Sequence, residues 1–335
     1  MRNHMKNARI AGVGHYVPDR VVTNYDLEKM MDTTNEWIVE RTGIQTRRWV
    51  QEGDTLSGLS HNAAMKALAQ AGKKPEDIQF IIFASMASDH EFPGGGCFLQ
   101  EKLGLPGVPA MDIRNACSGF VYGLSVADQF IKTGMYETIL LIGAEIQSTS
   151  LDLSTRGRDV SVIFGDGAGA AVITATDDNQ KGILTTHLHA DGRFADKLWA
   201  DAPSVNDHPR ITHGLLDTDR LYPKMEGRFV FKHAVVKFPE VINEALRAAG
   251  FNKDDLDLII PHQANLRITE AVAHRLEVPR DKVYSNIERY GNTTAASIPI
   301  AMSEAVEQER IKDNSLVCLA SFGSGFTWAS AIIRW

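Results

Sequence analysis

The chain contains one sequence pattern twice: Pro75-Glu76-Asp77-Ile78-Gln79-Phe80-Ile81-Ile82 in its first half and Lys253-Asp254-Asp255-Leu256-Asp257-Leu258-Ile259-Ile260 in its second. In each copy an acidic turn leads into a short apolar run. A run of this length bounded by turn residues is typical of a buried β-strand. Two such copies at a wide spacing indicate that one structural unit is used twice.

Two further pairs of segments follow in the same order. Val108–Cys117 pairs with Val283–Asn292, and each is predicted to be a strand followed by a helix; Ile139–Glu145 pairs with Leu316–Phe322. Three pairs in register predict a duplicated α/β chain, with halves at 1–175 and 176–335. The polar stretch Thr176–Gln180 is the predicted connector between the halves.

Short apolar runs alternate with amphipathic segments of helical length, which favours an α/β class. The predicted strands are Arg9–Tyr16, Ile78–Ala84, Ala110–Ile113, Ile139–Ala144 and Ala168–Ala175, and the predicted helices are Gly58–Ala71 and Gly119–Lys132. The stretch Asp191–Gly227 has little periodicity, and its aromatic residues favour an ordered covering segment over a disordered loop.

Composition narrows the possible functions. The 335 residues are 44% hydrophobic and 23% charged, which is ordinary for a globular protein and argues against disorder. The net charge of −7 gives no general electrostatic attraction to nucleic acid. Three cysteines, no apolar run of membrane-spanning length and no secretory signal at Met1–Arg9 lead us to expect a protein of the reducing cytoplasm.

Cys117 is the candidate nucleophile. It lies in Asn115-Ala116-Cys117-Ser118-Gly119, where a predicted strand turns sharply into a predicted helix. A helix N-terminus favours a thiolate by about 0.3–1 kcal/mol at an exposed site, so we expect an ionised, reactive sulfur. The alternative is an inert buried cysteine, as we expect for Cys97 and Cys318.

His262 and Asn292 lie at equivalent junctions of the second half. His262 follows the apolar run that ends at Ile260, and Asn292 falls within one residue of the position that matches Cys117 in the repeat. If the halves pack about a pseudo-twofold axis, the three side chains converge where ligands collect in open α/β sheets. Taken singly, His262 would be a satisfied polar residue and Asn292 a helix cap.

Other motifs do not predict a cofactor or metal site. The glycine-rich stretch Phe164–Gly169 lacks the Lys-Ser/Thr pair of a phosphate loop and leads into a strand. His187-Leu188-His189 with Asp191 supplies too few convergent ligands for zinc. The stretch Phe322–Phe326 could present backbone N–H groups to an oxyanion.

These motifs resemble those of beta-ketoacyl-acyl-carrier-protein synthase III, a condensing enzyme with the thiolase fold, and the resemblance runs almost end to end. The segments that carry it are Asn35–Val39, Arg41–Ile44, Ala116–Phe120, Phe164–Ala170, Pro261–Ile268, Tyr290–Thr293 and Phe322–Trp328. It implies a five-layered αβαβα fold, a homodimer, and a Cys-His-Asn catalytic set at Cys117, His262 and Asn292.

The resemblance also implies roles for surface and tunnel residues. Trp37 and Arg158 would sandwich the coenzyme A adenine, and the pantetheine tunnel would be formed by Thr33, Arg41, Gly227, Phe231 and Asn265. The acidic carrier protein would be received by Lys232, Arg267 and Arg275. Ser324 stands where the family usually has glycine, in the loop that would supply an oxyanion N–H; serine suits this role if its backbone angles are not restricted to glycine.

The implied reaction is a decarboxylative condensation of an acyl-coenzyme A starter with malonyl-acyl-carrier protein, initiating fatty-acid synthesis. Acyl-coenzyme A is a substrate, and no cofactor or metal is expected. Two alternatives remain open: a condensing enzyme of specialised metabolism with a longer acyl starter, and a papain-type hydrolase, which shares the order Cys, His, Asn but not its sequence context. The Asp191–Gly227 excursion is longer than the resemblance to the short bacterial enzymes implies, so the sequence does not decide which length of acyl chain is preferred.

Overall fold

A computed structural model describes residues 6–335 of the chain, so part of the basic stretch Met1–Arg9 lies outside the described residues. The described residues form thirteen strands and ten α-helices. The strands are β1 (Asn7–Tyr16), β2 (Val21–Thr23), β3 (Thr46–Arg48), β4 (Phe80–Ala84), β5 (Ala110–Ile113), β6 (Thr138–Glu145), β7 (Gly167–Thr176), β8 (Gly182–Ala190), β9 (Leu198–Ala200), β10 (Pro223–Met225), β11 (Leu258–Pro261), β12 (Leu316–Gly323) and β13 (Thr327–Arg334). The helices are α1 (Asn24–Glu28), α2 (Asn35–Thr42), α3 (Leu56–Ala71), α4 (Gly95–Lys102), α5 (Gly119–Lys132), α6 (Arg158–Ser161), α7 (Gly227–Ala249), α8 (Leu266–Leu276), α9 (Ile287–Tyr290) and α10 (Ser297–Glu307).

The first large sheet has the strand order β1-β7-β6-β4-β5. Strands β4, β5 and β6 run parallel, and β7 pairs antiparallel with both β1 and β6. Strands β4 and β6 are buried along their whole length, as expected for a strand covered by helices on both faces. The ends of the three parallel strands therefore lie side by side at one edge of the sheet, where Cys117 follows β5.

The second large sheet repeats this arrangement in the order β8-β13-β12-β11. Strand β11 runs parallel to β12, and β13 pairs antiparallel with both β12 and β8. The strand predicted from Val283 does not form; Val283 makes only an isolated parallel bridge to Ile259. The segment after it folds into the short helix α9, so the fifth position of this sheet is reduced to one bridge.

Five layers result from helices on both faces of each sheet. Helices α3 and α4 cover the outer face of the first sheet, α5 and α10 lie between the two sheets, and α7 covers the outer face of the second with α8 packed on it. Each interface has its own apolar cluster, including Phe83 in the first, Phe120 in the central one and Phe238 in the third. The central layer brings the N-terminal ends of α5 and α10 together.

Both central helices are preceded by the same strained turn. A 3₁₀ turn at Ala116–Ser118 leads into α5, and one at Thr294–Ala296 leads into α10. Ala116 and Thr294 begin these turns with φ of 45° and 50°, which is rare for residues with a Cβ. Cys117 therefore matches Ala295 rather than Asn292. The sequence register was wrong by three residues because the loop after Val283 differs from its counterpart in the first half.

The stretch Asp191–Gly227 contains two short strands, β9 and β10, which pair antiparallel. Asp191 anchors its start, because its backbone exchanges two hydrogen bonds with Phe326. Leu198 and Met225 of these strands lie over the edge of the second sheet where β12 ends. The excursion is thus a covering segment beside the ends of the central helices.

Candidate active site

Cys117 lies in the 3₁₀ turn between β5 and α5, and only 6% of the residue is exposed. Gly323, at the end of β12, packs directly against it: a Cβ at position 323 would lie 2.8 Å from the Cys117 sulfur. That distance is too short for two non-bonded heavy atoms. Glycine is therefore required at 323 to let the second half of the chain approach the sulfur.

The Cys117 sulfur is not held as a thiolate, contrary to the sequence-based expectation. Burial, and secondarily the negative charge of Glu145, raise the pKa of the Cys117 thiol to about 12. The backbone N–H groups of Cys117 and Ser324 act in the opposite direction but are outweighed. The N-terminus of α5 does not stabilise the thiolate enough to overcome the effect of burial, because both halves of the chain cover the turn that carries Cys117.

His262 follows β11 and is 1% exposed. Its Nδ1 lies 2.6 Å from the Ser297 Oγ, which also accepts a hydrogen bond of 3.3 Å from the Gln263 backbone N–H. Its Nε2 is buried without a hydrogen-bond partner among residues 6–335. Burial lowers the pKa of His262 to about 3, so the imidazole is neutral. Only one ring nitrogen is thus free to meet a substrate.

Asn292 is fixed by its backbone and by one oxygen of its side chain. Its backbone N–H donates to the Ile163 carbonyl at 2.9 Å, and its carbonyl accepts from the Gly165 N–H at 3.1 Å. The side-chain Oδ1 accepts the Thr294 N–H at 2.9 Å. The remaining Nδ2 makes no hydrogen bond to another described residue, so the amide presents its donor end.

Cys117, His262 and Asn292 line the same cavity, which has a volume of about 670 Å³. Its walls are mostly apolar, and sequence reasoning did not identify them. They include Val162, Ile163, Leu198, Met225, Val230, Ala234, Phe238, Ile268 and Phe322. A mostly apolar cavity with a few convergent polar groups is typical of a small-molecule site.

The residues expected along the tunnel divide into two groups. The cavity is lined by Trp37, Arg41, Gly227, Phe231 and Asn265, together with Arg267 from the expected carrier-protein surface. Thr33, Arg158, Ser324, Lys232 and Arg275 are not among its lining residues. The hydroxyl of Thr33 is buried without a hydrogen-bond partner among the described residues.

Two guanidinium groups lie over the Trp37 ring. The Arg41 Cζ is 4.6 Å and the Arg158 Cζ is 4.9 Å from the ring centroid, which are distances of direct cation–π contact. The Arg158 Nη1 also donates to the Asp32 carbonyl at 2.7 Å. A purine cannot fit between Trp37 and Arg158 at this separation, so such a sandwich requires the Arg158 side chain to swing away.

Asn265 links two of the segments expected in the tunnel. It caps the N-terminus of α8, where its Oδ1 accepts the Arg267 N–H at 2.9 Å. Its Nδ2 donates to the Arg41 carbonyl at 2.9 Å. Asn265 therefore holds the end of α2 against the start of α8, at the mouth of the cavity.

The expected carrier-protein residues lie on the outer helices of the second half. Lys232 is on α7, Arg267 and Arg275 are on α8, and all three are exposed. None has a salt-bridge partner among residues 6–335. Arg228, which the sequence did not single out, adds an exposed cation at the cavity lining.

Ser324 lies in the loop that joins β12 to β13. Its φ is not in the left-handed region, so a serine occupies this position without the strain that would demand glycine. Its hydroxyl donates to the Leu198 carbonyl, which ties the loop after β12 to β9. Ser324 thus presents its backbone N–H toward Cys117 while its side chain faces the covering segment.

The two histidines of β8 share one acidic neighbour, Glu244 on α7. His187 Nδ1 lies 3.3 Å and His189 Nε2 lies 2.7 Å from the carboxylate oxygens of Glu244. Within residues 6–335 no group of three or more histidine, cysteine or acidic side chains is arranged to hold a metal ion.

In the same part of the chain, no helix combines the length and the apolar composition needed to cross a membrane.

Comparison with known proteins identifies the family. Two family descriptions match: "3-Oxoacyl-[acyl-carrier-protein (ACP)] synthase III" over residues 111–192 and its "C terminal" counterpart over residues 246–335. Beta-ketoacyl-[acyl-carrier-protein] synthase III of Xanthomonas euvesicatoria is 45% identical over 98% of both chains. The same enzyme of Alkalilimnicola ehrlichii is 45% identical over 99% of this chain and 100% of its own.

A solved structure confirms the predicted fold. The 3-oxoacyl-[acyl-carrier-protein] synthase III of Aquifex aeolicus superimposes with a TM-score of 0.90 at 41% identity, covering 98% of this chain and 100% of that chain. The layered, duplicated thiolase-type fold and an acyl-transferring enzyme of the initiating condensation are thereby confirmed, and the alternatives from specialised metabolism and from cysteine hydrolases are not favoured. The chain belongs to the beta-ketoacyl-[acyl-carrier-protein] synthase III family.

Proposed function

We propose that this enzyme transfers an acyl group from acyl-coenzyme A to Cys117 and condenses it with malonyl-acyl-carrier protein to give a 3-ketoacyl-acyl-carrier protein. One observation carries the proposal: a thiol, an unpartnered imidazole nitrogen and a free amide donor line one cavity. Every step that we propose uses only side-chain and backbone groups of the chain and groups of the two substrates. We further propose that the enzyme acts in the cytoplasm.

In the first half-reaction the Cys117 sulfur attacks the acyl-coenzyme A thioester. Because the thiol is neutral at rest, its proton leaves as the carbon–sulfur bond forms and departs with the coenzyme A thiol. We assign the backbone N–H groups of Cys117 and Ser324 as the donors that stabilise the oxyanion of the tetrahedral intermediate. One such donor contributes about 2.7–4 kcal/mol.

In the second half-reaction malonyl-acyl-carrier protein enters and loses carbon dioxide. We assign His262 Nε2 and Asn292 Nδ2 as the donors to its thioester oxygen, where negative charge accumulates as the enolate forms. Donation from Nε2 requires the proton on that nitrogen, and a Ser297 hydroxyl that donates to Nδ1 fixes this tautomer. The enolate carbon then forms a bond to the acyl carbon, the bond from that carbon to the Cys117 sulfur breaks, and the sulfur leaves as a thiolate that takes up one proton from solvent to restore the neutral thiol.

We propose that separate sets of residues bind the two substrates. We propose that Trp37 and Arg158 bind the adenine of coenzyme A after Arg158 moves, and that Thr33, Arg41, Gly227, Phe231 and Asn265 line the path of the pantetheine arm. Lys232, Arg267 and Arg275 would receive the acidic carrier protein. Their exposed cations offset the chain's net charge of −7 locally, which favours association with an acidic partner.

We propose a homodimer joined along the first sheet. Strand β5 is one of the two edge strands of that sheet and is only partly buried, whereas β4 beside it is buried throughout. An edge strand leaves backbone hydrogen-bonding groups open for pairing, so a second copy can continue the sheet. This association would cover Met111 and its neighbours.

The proposal is tested by incubation with acetyl-coenzyme A alone. A condensing enzyme releases one coenzyme A per site and then stops, with an acetyl group on the Cys117 peptide in mass spectrometry. Continuous release of coenzyme A, or an acetyl group found on Cys97 or Cys318 instead, would contradict it. The Cys318→Ala variant is the matched control, since that buried thiol lies within β12 and outside the cavity.

A further inference from the structure

Glu145 is a buried carboxyl group that the proposed mechanism does not use. It is the last residue of β6 and is 0% exposed. Strand β6 lies next to β4, and β4 lies next to β5, which leads to Cys117. The three parallel strands place Glu145 at the same edge of the sheet as the turn that carries the sulfur.

The Glu145 carboxyl group receives its hydrogen bonds from the end of β4. Oε1 accepts from the Ser85 hydroxyl at 3.2 Å and from the backbone N–H groups of Met86 and Ala87, each at 3.1 Å. Oε2 has a single, longer contact of 3.3 Å with the Met86 N–H. One oxygen is therefore fully engaged, and the other has room to carry a proton.

No cation is paired with this carboxyl group among residues 6–335. The charged group that faces it from the neighbouring segment is Asp166, another buried acid, before β7. Asp166 is already hydrogen-bonded by the Ser148 hydroxyl and by three backbone N–H groups. Burial first, and then Asp166, raise the pKa of Glu145 to about 8.

Glu145 and Cys117 disfavour each other's negative charge. Glu145 is the charged side chain that raises the pKa of the Cys117 thiol after burial itself. Two acids that interact in a low-dielectric interior titrate as a pair, so the second charge is much harder to form than the first. Negative charge on the sulfur is therefore easiest while Glu145 is neutral.

We propose that Glu145 is a positioning residue for the acylation step: its buried carboxyl group anchors the Ser85–Ala87 backbone at the end of β4 and, by remaining protonated, lets negative charge develop on the Cys117 sulfur. This inference rests on the proposed function of Cys117. It assigns no contact between Glu145 and substrate. With a proton on Oε2, Glu145 carries no charge. The only negative charge on this pair during acylation is then the transient charge on the Cys117 sulfur.

The test is the rate at which iodoacetamide alkylates Cys117 as a function of pH, followed by mass spectrometry of the Cys117 peptide. In the wild-type enzyme the logarithm of the rate rises with pH and flattens near pH 8, where Glu145 loses its proton. In Glu145→Gln no such charge forms, so the rise continues. The two proteins react at similar rates at low pH, and the variant becomes about tenfold faster one pH unit above the wild-type inflection.

Two further variants control for structural effects. Glu145→Asp keeps the carboxyl group and retains an inflection, although its position moves. Asp128→Asn removes another buried carboxyl group, on α5 far along the helix from Cys117, and keeps the wild-type profile. A purely structural role for Glu145 would change the rate by the same factor at every pH.

A straight wild-type profile through pH 8 would overturn the proposal without any variant, so the test survives if Glu145→Gln fails to fold. Parallel profiles for wild type and Glu145→Gln would also overturn it. Alkylation needs neither coenzyme A nor carrier protein. A shifted profile in an enzyme that acetyl-coenzyme A fails to acylate would therefore refute the proposed function while supporting the role of Glu145.

Discussion

The Nδ1 of His262 lies 2.6 Å from the Oγ of Ser297, the first residue of the central helix α10. This contact joins β11, which delivers the imidazole, to the helix that packs against both sheets. It leaves Nε2 as the free nitrogen of a buried, neutral ring. The hydroxyl thereby determines which nitrogen can donate to a substrate oxygen.

Ser297→Ala is therefore expected to slow decarboxylation of malonyl-acyl-carrier protein by about 10- to 100-fold, since loss of a buried hydrogen bond costs about 1–3 kcal/mol. Acylation of Cys117 by acetyl-coenzyme A should change little. Ser303→Ala is the matched control: it removes a similar contact, 2.8 Å to the Nδ1 of His15, from the same helix but outside the cavity. Equal losses in both variants, or in both half-reactions, would contradict this role.

Arg158→Ala is expected to raise the KM for acetyl-coenzyme A about 2- to 30-fold with little change in kcat, because a cation–π contact is worth about 0.5–2 kcal/mol. A pantetheine thioester without the nucleotide should show no change in KM. Arg20→Ala removes a comparable cation from the Trp49 ring, 5.8 Å away and outside the cavity, and serves as the control. A loss that is equal for both thioesters would rule out an adenine contact.

Reversal of two exposed charges, Lys232→Glu with Arg275→Glu, is expected to raise the KM for malonyl-acyl-carrier protein about tenfold at low salt. The effect should shrink as ionic strength rises, since surface charges are screened. Acylation by acetyl-coenzyme A should be unaffected. Lys312→Glu, in the turn before β12 and at the opposite end of that strand from the cavity, is the control. A salt-independent defect would contradict electrostatic docking.

The burial of neutral His262 predicts a loss of stability in acid. Its pKa is about 3 in the folded protein, below the ordinary value of 6.5, so the unfolded chain binds a proton that the folded chain excludes. Stability is complete above pH 6.5 and falls as pH drops from 6.5 toward 3, by up to about 1.4 kcal/mol per pH unit from this group. In urea unfolding, His262→Gln should show a shallower decline than the wild type. Equal slopes would show that His262 is protonated in the fold.

Sequence patterns predicted the α/β fold because the buried strands are nearly continuous apolar runs. Strand β5 forms at Ala110–Ile113 and helix α5 at Gly119–Lys132, as predicted. The position of Cys117 at their junction followed from the same pattern. The family resemblance and its initiating condensation are confirmed by the relatives. Local periodicity was therefore enough to predict the position of a residue when that position depends on a single strand or helix.

Features that depend on contacts between distant segments were not predicted. The partner of His262 lies 35 residues along the chain, and no local pattern connects them. The register of Asn292 was wrong because Val283 forms a bridge instead of a strand. The neutral thiol was missed because the burial of Cys117 depends on distant segments, such as Gly323 at the end of β12, which packs against the sulfur.

The release of carbon dioxide from malonyl-acyl-carrier protein by Cys117→Ala tests the central claim most directly. The variant should neither accept an acyl group nor condense, yet it should still decarboxylate the malonyl group. Adding His262→Ala or Asn292→Ala should reduce that release by about 100-fold or more, the loss typical of a donor to a developing oxyanion. Full condensation by Cys117→Ala, or unchanged release after both donors are removed, would contradict the assignment of these three residues to one site.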